Sequence, residues 1–467
     1  MAFAGSASKT LPRLLLALCV IGVICGNCFA QQKLADEVKA EFLHAWNGYK
    51  KHAWGHDDLK PLSKTHHDWY AQPLLMTPVD SLDTMILLGL TDEANATREY
   101  IVGNLSFDKD IEVQNFEVTI RLLGGLLSGY QMTGDKRLLD LAADLGNRLL
   151  PVFNSPTGMP YRYVNLKTGK TSKPISNPAE TGTLLVEFGT LSKFTGKPVF
   201  YDKAKRALVE TFKRRSKIGL VGEWINVETG QWTKTDSHIS GAIDSYYEYL
   251  LKCWLLFNDR DCKRMWDESI VAINKYLAEE GELIVNGHPI DGISLGKTLW
   301  YGHADMNTGV RGARTYGALD AFFPAVLALS GDLKRAKRLQ TSSFHMWNVA
   351  GIEPEEYDYR TGVITSPGYA LRPEIVESTY YLFQYTKDRY YRIAGEQLWR
   401  DFVKHCRTEA GYAALKSVNT KEKADSMQSF VLAETFKYFY LLFSTDQTLD
   451  FRNVIFNTEA HPIKRFK

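Results

Sequence analysis

Residues 116–130 read FEVTIRLLGGLLSGY, and this stretch decides the fold. Glu117 and Arg121 stand one helical turn apart, and every residue after them is apolar or small. A charged head on a buried stem is costly unless the head has work to do, and a helix that is apolar nearly all round must be covered on every side. Versions of the layout recur along the chain. Short breakers of one kind end each apolar run: GLTDEA after Leu88, MTGDKR after Gln131, FTGKPV after Lys193, FNDRDC after Leu256, LSGDLK after Ala328, YTKDRY after Gln384 and FSTDQT after Leu442. Each predicts a buried helix, a tight turn with Gly or Asp, then a half-exposed helix bearing Lys, Arg and Glu.

The turns recur every roughly 40 to 75 residues, more than a helical solenoid repeat requires. The excess reads as loops and hairpins, as in YRYVNLKTGKT and EWINVETGQWT. Seven buried helices are covered if they close into a ring inside seven outer ones. The predicted fold is therefore all-α, an (α/α)7 barrel with short β-hairpins in the connecting loops; an open solenoid of the same repeats is the alternative.

Composition is uniform, with 45% hydrophobic, 24% charged and 12% aromatic residues and no low-complexity linker, which predicts one domain over residues 31–467. Ahead of it Lys9 and Arg13 precede the apolar run LLLALCVIGVICG, which exits at Cys28-Phe29-Ala30. That order predicts a secretory signal peptide over residues 1–30 and export to a periplasmic, extracellular or lumenal space. The run is short for a membrane span. Without residues 1–30 the chain has 54 basic and 54 acidic residues, a balance that argues against nucleic acid or an anionic membrane as partner. A monomer is expected. Cys253, Cys262 and Cys406 remain; the first two flank a turn they can bridge, and no CxxC or HExxH suggests zinc.

Inner helices of such a barrel run the same way, so their amino ends share one rim. Acidic residues fall at those ends: Asp80 and Asp83, Glu117, Glu180, Asp244, Glu374 and Glu377, with Gln428 and Glu434 in the seventh repeat and Asp320 in the fifth. A carboxylate at a helix amino terminus gains about 0.3 to 1 kcal/mol, which accounts for any one of them alone. Repetition on one rim points instead to a cavity walled by carboxylates and aromatics. Such a cavity suits sugars or hard cations, and glycoside hydrolysis uses a pair of carboxyl groups.

WGHDDLKPLSK, VDSLDT, FEVTIRLLGGLLSGY, DSYYEYLLK, LRPEIVEST, SFVLAETFKY and FNTEAHP, in that order over nearly all of residues 31–467, resemble the class I α-mannosidases, glycoside hydrolase family 47. The resemblance implies an (α/α)7 barrel, a calcium ion, and inverting exo-hydrolysis of α-1,2-linked mannose from high-mannose N-glycan-type oligosaccharides or glycoproteins. It assigns Glu117 as general acid acting through a water, Glu374 as the base, Asp244 as a third essential carboxylate, and Thr458 as the calcium ligand. It places Arg121, Glu180, Glu355, Arg372, Glu377, Gln428 and Glu459 around the sugar or the ion's waters.

Three departures qualify it. Gln428 stands where the family commonly has Glu, Ala242 where ER-type members often carry Arg, and Ala321 where one of a cysteine pair is expected. There, and in GYAALKSV, the chain is nearer to the ER-degradation mannosidase-like branch, some of whose members act in glycoprotein recognition. Recognition of mannose glycans with weak or no hydrolysis is thus the alternative, and another toroid enzyme such as a glucan hydrolase or epimerase a third. TFKYFYLLF and STYYLFQYT read as core, KTGKTSK as a solvated loop, and His66, His67 and His405 as bystanders. His461 is placed to touch the site.

Overall fold

The computed structural model describes residues 11–282, 284–285, 288–289, 298–445 and 449–466, with backbone alone for 11–30, 285 and 288–289. Its inner helices start from Met76–Leu87, Asn115–Thr133, Pro178–Thr195, Asp244–Phe257, Leu319–Ser330, Glu374–Thr386 and Val431–Phe443. Leu122, Leu123, Leu126 and Leu127 of the second are fully buried, as an all-round apolar surface requires. Outer helices are amphipathic: Lys136–Leu149 buries Leu138, Ala142, Leu145 and Leu149 along one stripe. Six outer helices each follow the inner helix they pack on. The seventh comes from the chain start: Leu11–His52 packs on Phe436–Phe443. Among the described residues FSTDQT therefore leads to no outer helix, contrary to expectation; a short turn and the hairpin Val454–Phe456 with Pro462–Lys464 follow instead. No helix among the described residues is long and apolar enough to cross a membrane.

The breakers work by two local devices. The first six turns each hold a residue in the left-handed conformation, Gly89, Gly134, Gly196, Asn258, Gly331 and Lys387, which ends the inner helix. Asp135, Asp259, Asp332 and Asp388 then cap the next helix by accepting a main-chain N–H. Lys387 is the costly choice, since a side chain in this region loses about 1 kcal/mol. Lys387→Gly should raise stability by about that amount, and Gly331→Ala, at φ +96°, should lower it similarly. Urea midpoints measure both.

The predicted hairpins are present at Tyr163–Asn165 with Thr171–Ser172 and at Trp224–Asn226 with Trp232–Lys234. Cys253 and Cys262 are joined in a disulfide, and Cys406 is free and buried.

Candidate active site

The carboxyl-terminal hairpin enters the barrel, and its tip, residues 457–461, organises the site. A methyl group added at Gly124 would come within 2.6 Å of Asn457 and 3.0 Å of His461, and one at Gly125 within 2.9 Å of the Val79 carbonyl. The small residues of the opening stretch therefore admit the tip on one side and the first inner helix on the other. Asn457 Nδ2 donates to the Ile120 carbonyl and to Glu187 Oε1, both at 2.8 Å, while Asn457 Oδ1 accepts the amides of Glu459 and His461. Lys437 Nζ donates to the Ala460 carbonyl at 2.7 Å and pairs with Asp83 at 2.7 Å. His461 lies between Asp83 at 2.7 Å and Asp80 at 3.1 Å. Burial opposes protonation of this ring, but Asp83 and Asp80 outweigh it and raise its pKa to about 9. Asp80 and Asp83, expected on the rim, thus work inside as fully buried anchors.

Thr458 sits at the tip, its amide donating to the Tyr249 hydroxyl at 3.2 Å. It lines the inner two of three adjoining parts of a cup. A chamber of about 40 Å³ is walled by Asp244, Glu248, Glu374, Glu377 and Glu434. Above it a cavity of about 260 Å³ adds Glu117, Arg121, Arg372, Phe430 and Glu459. An outer pocket of about 270 Å³ shares Phe116, Glu117, Ala242 and Asp244 with that cavity and reaches Glu180 and Trp224. Seven acidic and two basic side chains line the inner two parts.

Arg121 holds the rim together. Its Nε donates to Glu117 Oε2 at 3.0 Å and its Nη1 to Glu459 Oε2 at 2.6 Å, with Trp69 5.0 Å away beneath the guanidinium. Arg372 forks onto Glu355 at 3.0 to 3.2 Å. Glu180 accepts from Gln114, Arg162 and Ser176. Asp244 Oδ1 accepts the Ser245 amide at 2.6 Å and its hydroxyl at 3.1 Å; burial pushes its carboxyl up to about 7. Glu374 rises to about 7 through burial, against the pull of Arg372, and its Oε2 has no hydrogen-bond partner. Burial also raises Glu434 and Glu459, each beside the other.

Of the residues singled out in the sequence, Glu117, Arg121, Asp244, Arg372, Glu374, Glu377, Thr458 and Glu459 meet in the inner cup, Glu180 lies in the outer pocket, and Glu355 stands behind Arg372. Gln428 is half-buried just ahead of the seventh inner helix and lines none of these cavities. Sequence reasoning left out Glu248 and Glu353, and placed Glu434 on the rim without giving it a role in the site. Glu248 had a signal, four residues after Asp244 on one helix face, and pairs with Lys252. Glu353 is fully buried beside Glu374 with both oxygens unpartnered, and burial raises its pKa. Glu434 belongs to a π-helical turn, Val431–Thr435, as Arg121 does in Thr119–Leu123; such turns favour functional sites. Ala242, Leu371 and Ala460 have φ of +75°, +65° and +56°, and backbone strain of this kind concentrates at active sites.

The donor set suits a hard divalent cation. In the small chamber around Thr458 every polar side chain is an oxygen donor, and a buried, unpartnered Glu374 oxygen with an excess of carboxylates calls for positive charge. The residues present fit calcium.

An α/α barrel opening on a carboxylate-rich cup suits sugars or hard cations. Residues 41–465 match the model of glycosyl hydrolase family 47. Mannosyl-oligosaccharide 1,2-alpha-mannosidase MNS1 of Arabidopsis thaliana is 35% identical over 92% of this chain and 78% of its own length. The mouse ER degradation-enhancing alpha-mannosidase-like protein 2 is 36% identical over 92% and 77%. The solved alpha-1,2-mannosidase from Trichoderma reesei superposes with a TM-score of 0.83 at 27% identity, over 93% of this chain and 99% of that one. The chain belongs to glycosyl hydrolase family 47, and with it to the glycosidases.

Proposed function

We propose that the protein is a calcium-dependent, inverting exo-α-1,2-mannosidase that trims terminal mannose from high-mannose oligosaccharides. The observation that carries this reading is the cup itself: Glu117, Asp244 and Glu374 come from three inner helices to one cavity with Thr458 at its floor. The names of the relatives support the substrate class. A recognition protein needs only to hold sugar and has no use for a buried carboxyl poised near neutrality.

A terminal mannose fits the inner cavity, with Phe430 offering an apolar face and Arg121, Arg372 and the carboxylates meeting its hydroxyls. The bond to be cut then lies where the inner and outer cavities share Glu117 and Asp244. Glu374 accepts the proton of the attacking water; a base with a pKa near 7 is half ready at neutral pH. Glu117, kept in place by Arg121, delivers a proton to the departing oxygen through water, and Asp244 steadies the positive charge that develops on the sugar ring. Calcium, bound by Thr458, would anchor two sugar hydroxyls and offset the surrounding negative charge.

The test is mannose release from α-1,2-mannobiose with calcium and with chelator, followed by NMR. β-Mannose appearing first, and only with calcium, is the expected result. No release with calcium present sinks the reading, and α-mannose first sinks inversion.

Calcium also has a signature in stability. The folded chain holds protons on Asp244 and Glu374 up to about pH 7, whereas the unfolded chain releases them near pH 4; the stability they contribute is full below that and is lost as pH rises to 7. His461 stabilises fully below its ordinary value of 6.5 and loses its share as pH passes 9. Asp83 acts oppositely, because Lys437 and His461 overcome burial and hold it at about 2, so its share vanishes only in strong acid. Metal-free protein should melt progressively lower from pH 5 to pH 9, each group costing about 1.4 kcal/mol per pH unit in its window. Added calcium should flatten the carboxylate part of that slope. Identical melting curves with calcium and with chelator across this range would count against the ion.

A further inference from the structure

A second constellation lies outside the cup, on the segment that leads into Asp244. Asp236 and His238 are two residues apart in extended chain and so project from one face. The strand Asp236–Ser237 pairs antiparallel with Ala304–Asp305, Ser237 opposite Ala304, and the same register carried one step on sets His303 opposite His238. The two imidazole rings lie 4.4 Å apart, and His303 Nδ1 is 2.7 Å from Asp236 Oδ2. Donor atoms of Asp236, His238 and His303 all fall within 4.8 Å of one another. Glu223 brings Oε2 to 3.5 Å from His238 Nε2. His238 is buried and the other three are partly covered.

We propose that Asp236, His238, His303 and Glu223 form a second cation site, for a borderline-soft transition metal of the zinc class. Two imidazoles and two carboxylates are a donor set for zinc, cobalt or nickel and a poor one for calcium. The two strands supply three donors from fixed positions on one face, and the Glu223 hairpin closes the fourth side. Lys234 is the cation that now pairs with Glu223 and is what the metal displaces. Two other groups with metal-ligand residues among the described residues are weaker: Cys253 and Cys262 are spent in the disulfide, and in His56, His66 and Asp68 the second histidine is exposed.

Binding alters tautomers without loss of a proton from neutral imidazole. The Ser240 amide donates to His238 Nδ1 at 3.2 Å, so the ring proton sits on Nε2, facing Glu223. A metal on Nε2 sends that proton to Nδ1, and the Ser240 contact opens. Ser240 matters because its carbonyl accepts the amides of Ile243 and Asp244, so occupancy of the site is felt at the turn that sets Asp244.

The experiment strips the full chain with chelator, restores excess calcium, and titrates cobalt as a spectroscopic probe. One cobalt per chain with the intense visible absorption of a four-coordinate site, displaced by one zinc, is the expected result. Asp236→Asn, His238→Gln and His303→Gln, each first shown to have the wild-type circular dichroism spectrum, should lose the band and at least tenfold in affinity, while His56→Gln keeps both. A wild type that takes up no cobalt shows that the cluster is a hydrogen-bonded brace and overturns the proposal. So does a band that survives all three substitutions or disappears in His56→Gln. Because the readout is metal content and absorption, the outcome is independent of whether mannose is released.

Discussion

Glu374→Gln is expected to lower kcat on α-1,2-mannobiose by about 10³-fold, the effect of removing a positioned general base, while binding of a mannose-configured iminosugar changes little. The substitution conserves shape, and Glu374 Oε2 has no protein partner to lose, so the amide should fit the same space. What disappears is the ability to take a proton from water. Burial raises this carboxyl to about 7 against the pull of Arg372; Glu355 and Asp244 add to the rise. A group so placed gives up or takes a proton near neutrality at small cost, which is the property a base needs. Steady-state kinetics with calorimetric binding separates the two effects. A fall of less than tenfold would move the base to Asp244, which burial also raises to about 7, and Asp244→Asn would then show the larger loss.

The barrel was legible because its punctuation is local. A left-handed residue followed by an Asp cap is written in a few consecutive positions, as in Gly134-Asp135 and Gly331-Asp332, and the all-round apolar character of the inner helices forces closure. The ring's last member was not legible. Leu11–His52 and Phe436–Phe443 meet from opposite ends of the chain, and no local pattern records such a pairing. The same distinction divides the site. Glu117, Asp244 and Glu374 stand at helix starts and were found by position, as was Glu434, although its part in the cup shows only in the π-helical turn of Val431–Thr435; Glu353, buried beside Glu374, was not found at all. Lys437 was read as part of an aromatic core run, which is correct for its burial and silent about its partners. Gln428 was read as a loss of charge near the ion; in the structure it lines none of the cup, and the carboxylate nearest that role in its repeat is Glu434.

Lys437→Met should cost about 3 to 5 kcal/mol of stability, the effect of removing one partner of a buried ion pair, and should weaken sugar binding although Lys437 touches no part of the cup. Lys437 and Asp83 are both fully buried, 2.7 Å apart. Without the ammonium, Asp83 keeps His461 alone to balance it, and the Ala460 carbonyl loses its donor. Ala460 holds a strained φ of +56°, two residues from Thr458, and strain of that kind persists only where neighbours over-determine it. The tip should therefore relax and carry Thr458 away from Glu374 and Glu434. Pairing Lys437→Met with Asp83→Leu removes both charges, and the double variant should be more stable than the sum of the single losses, since a buried pair replaced by apolar groups is often close to neutral. Sugar affinity should not recover with it, because the Ala460 carbonyl still lacks its donor. Recovery of stability without recovery of binding is the outcome that distinguishes a positioning role for Lys437 from a merely structural one; recovery of both would assign it to the core.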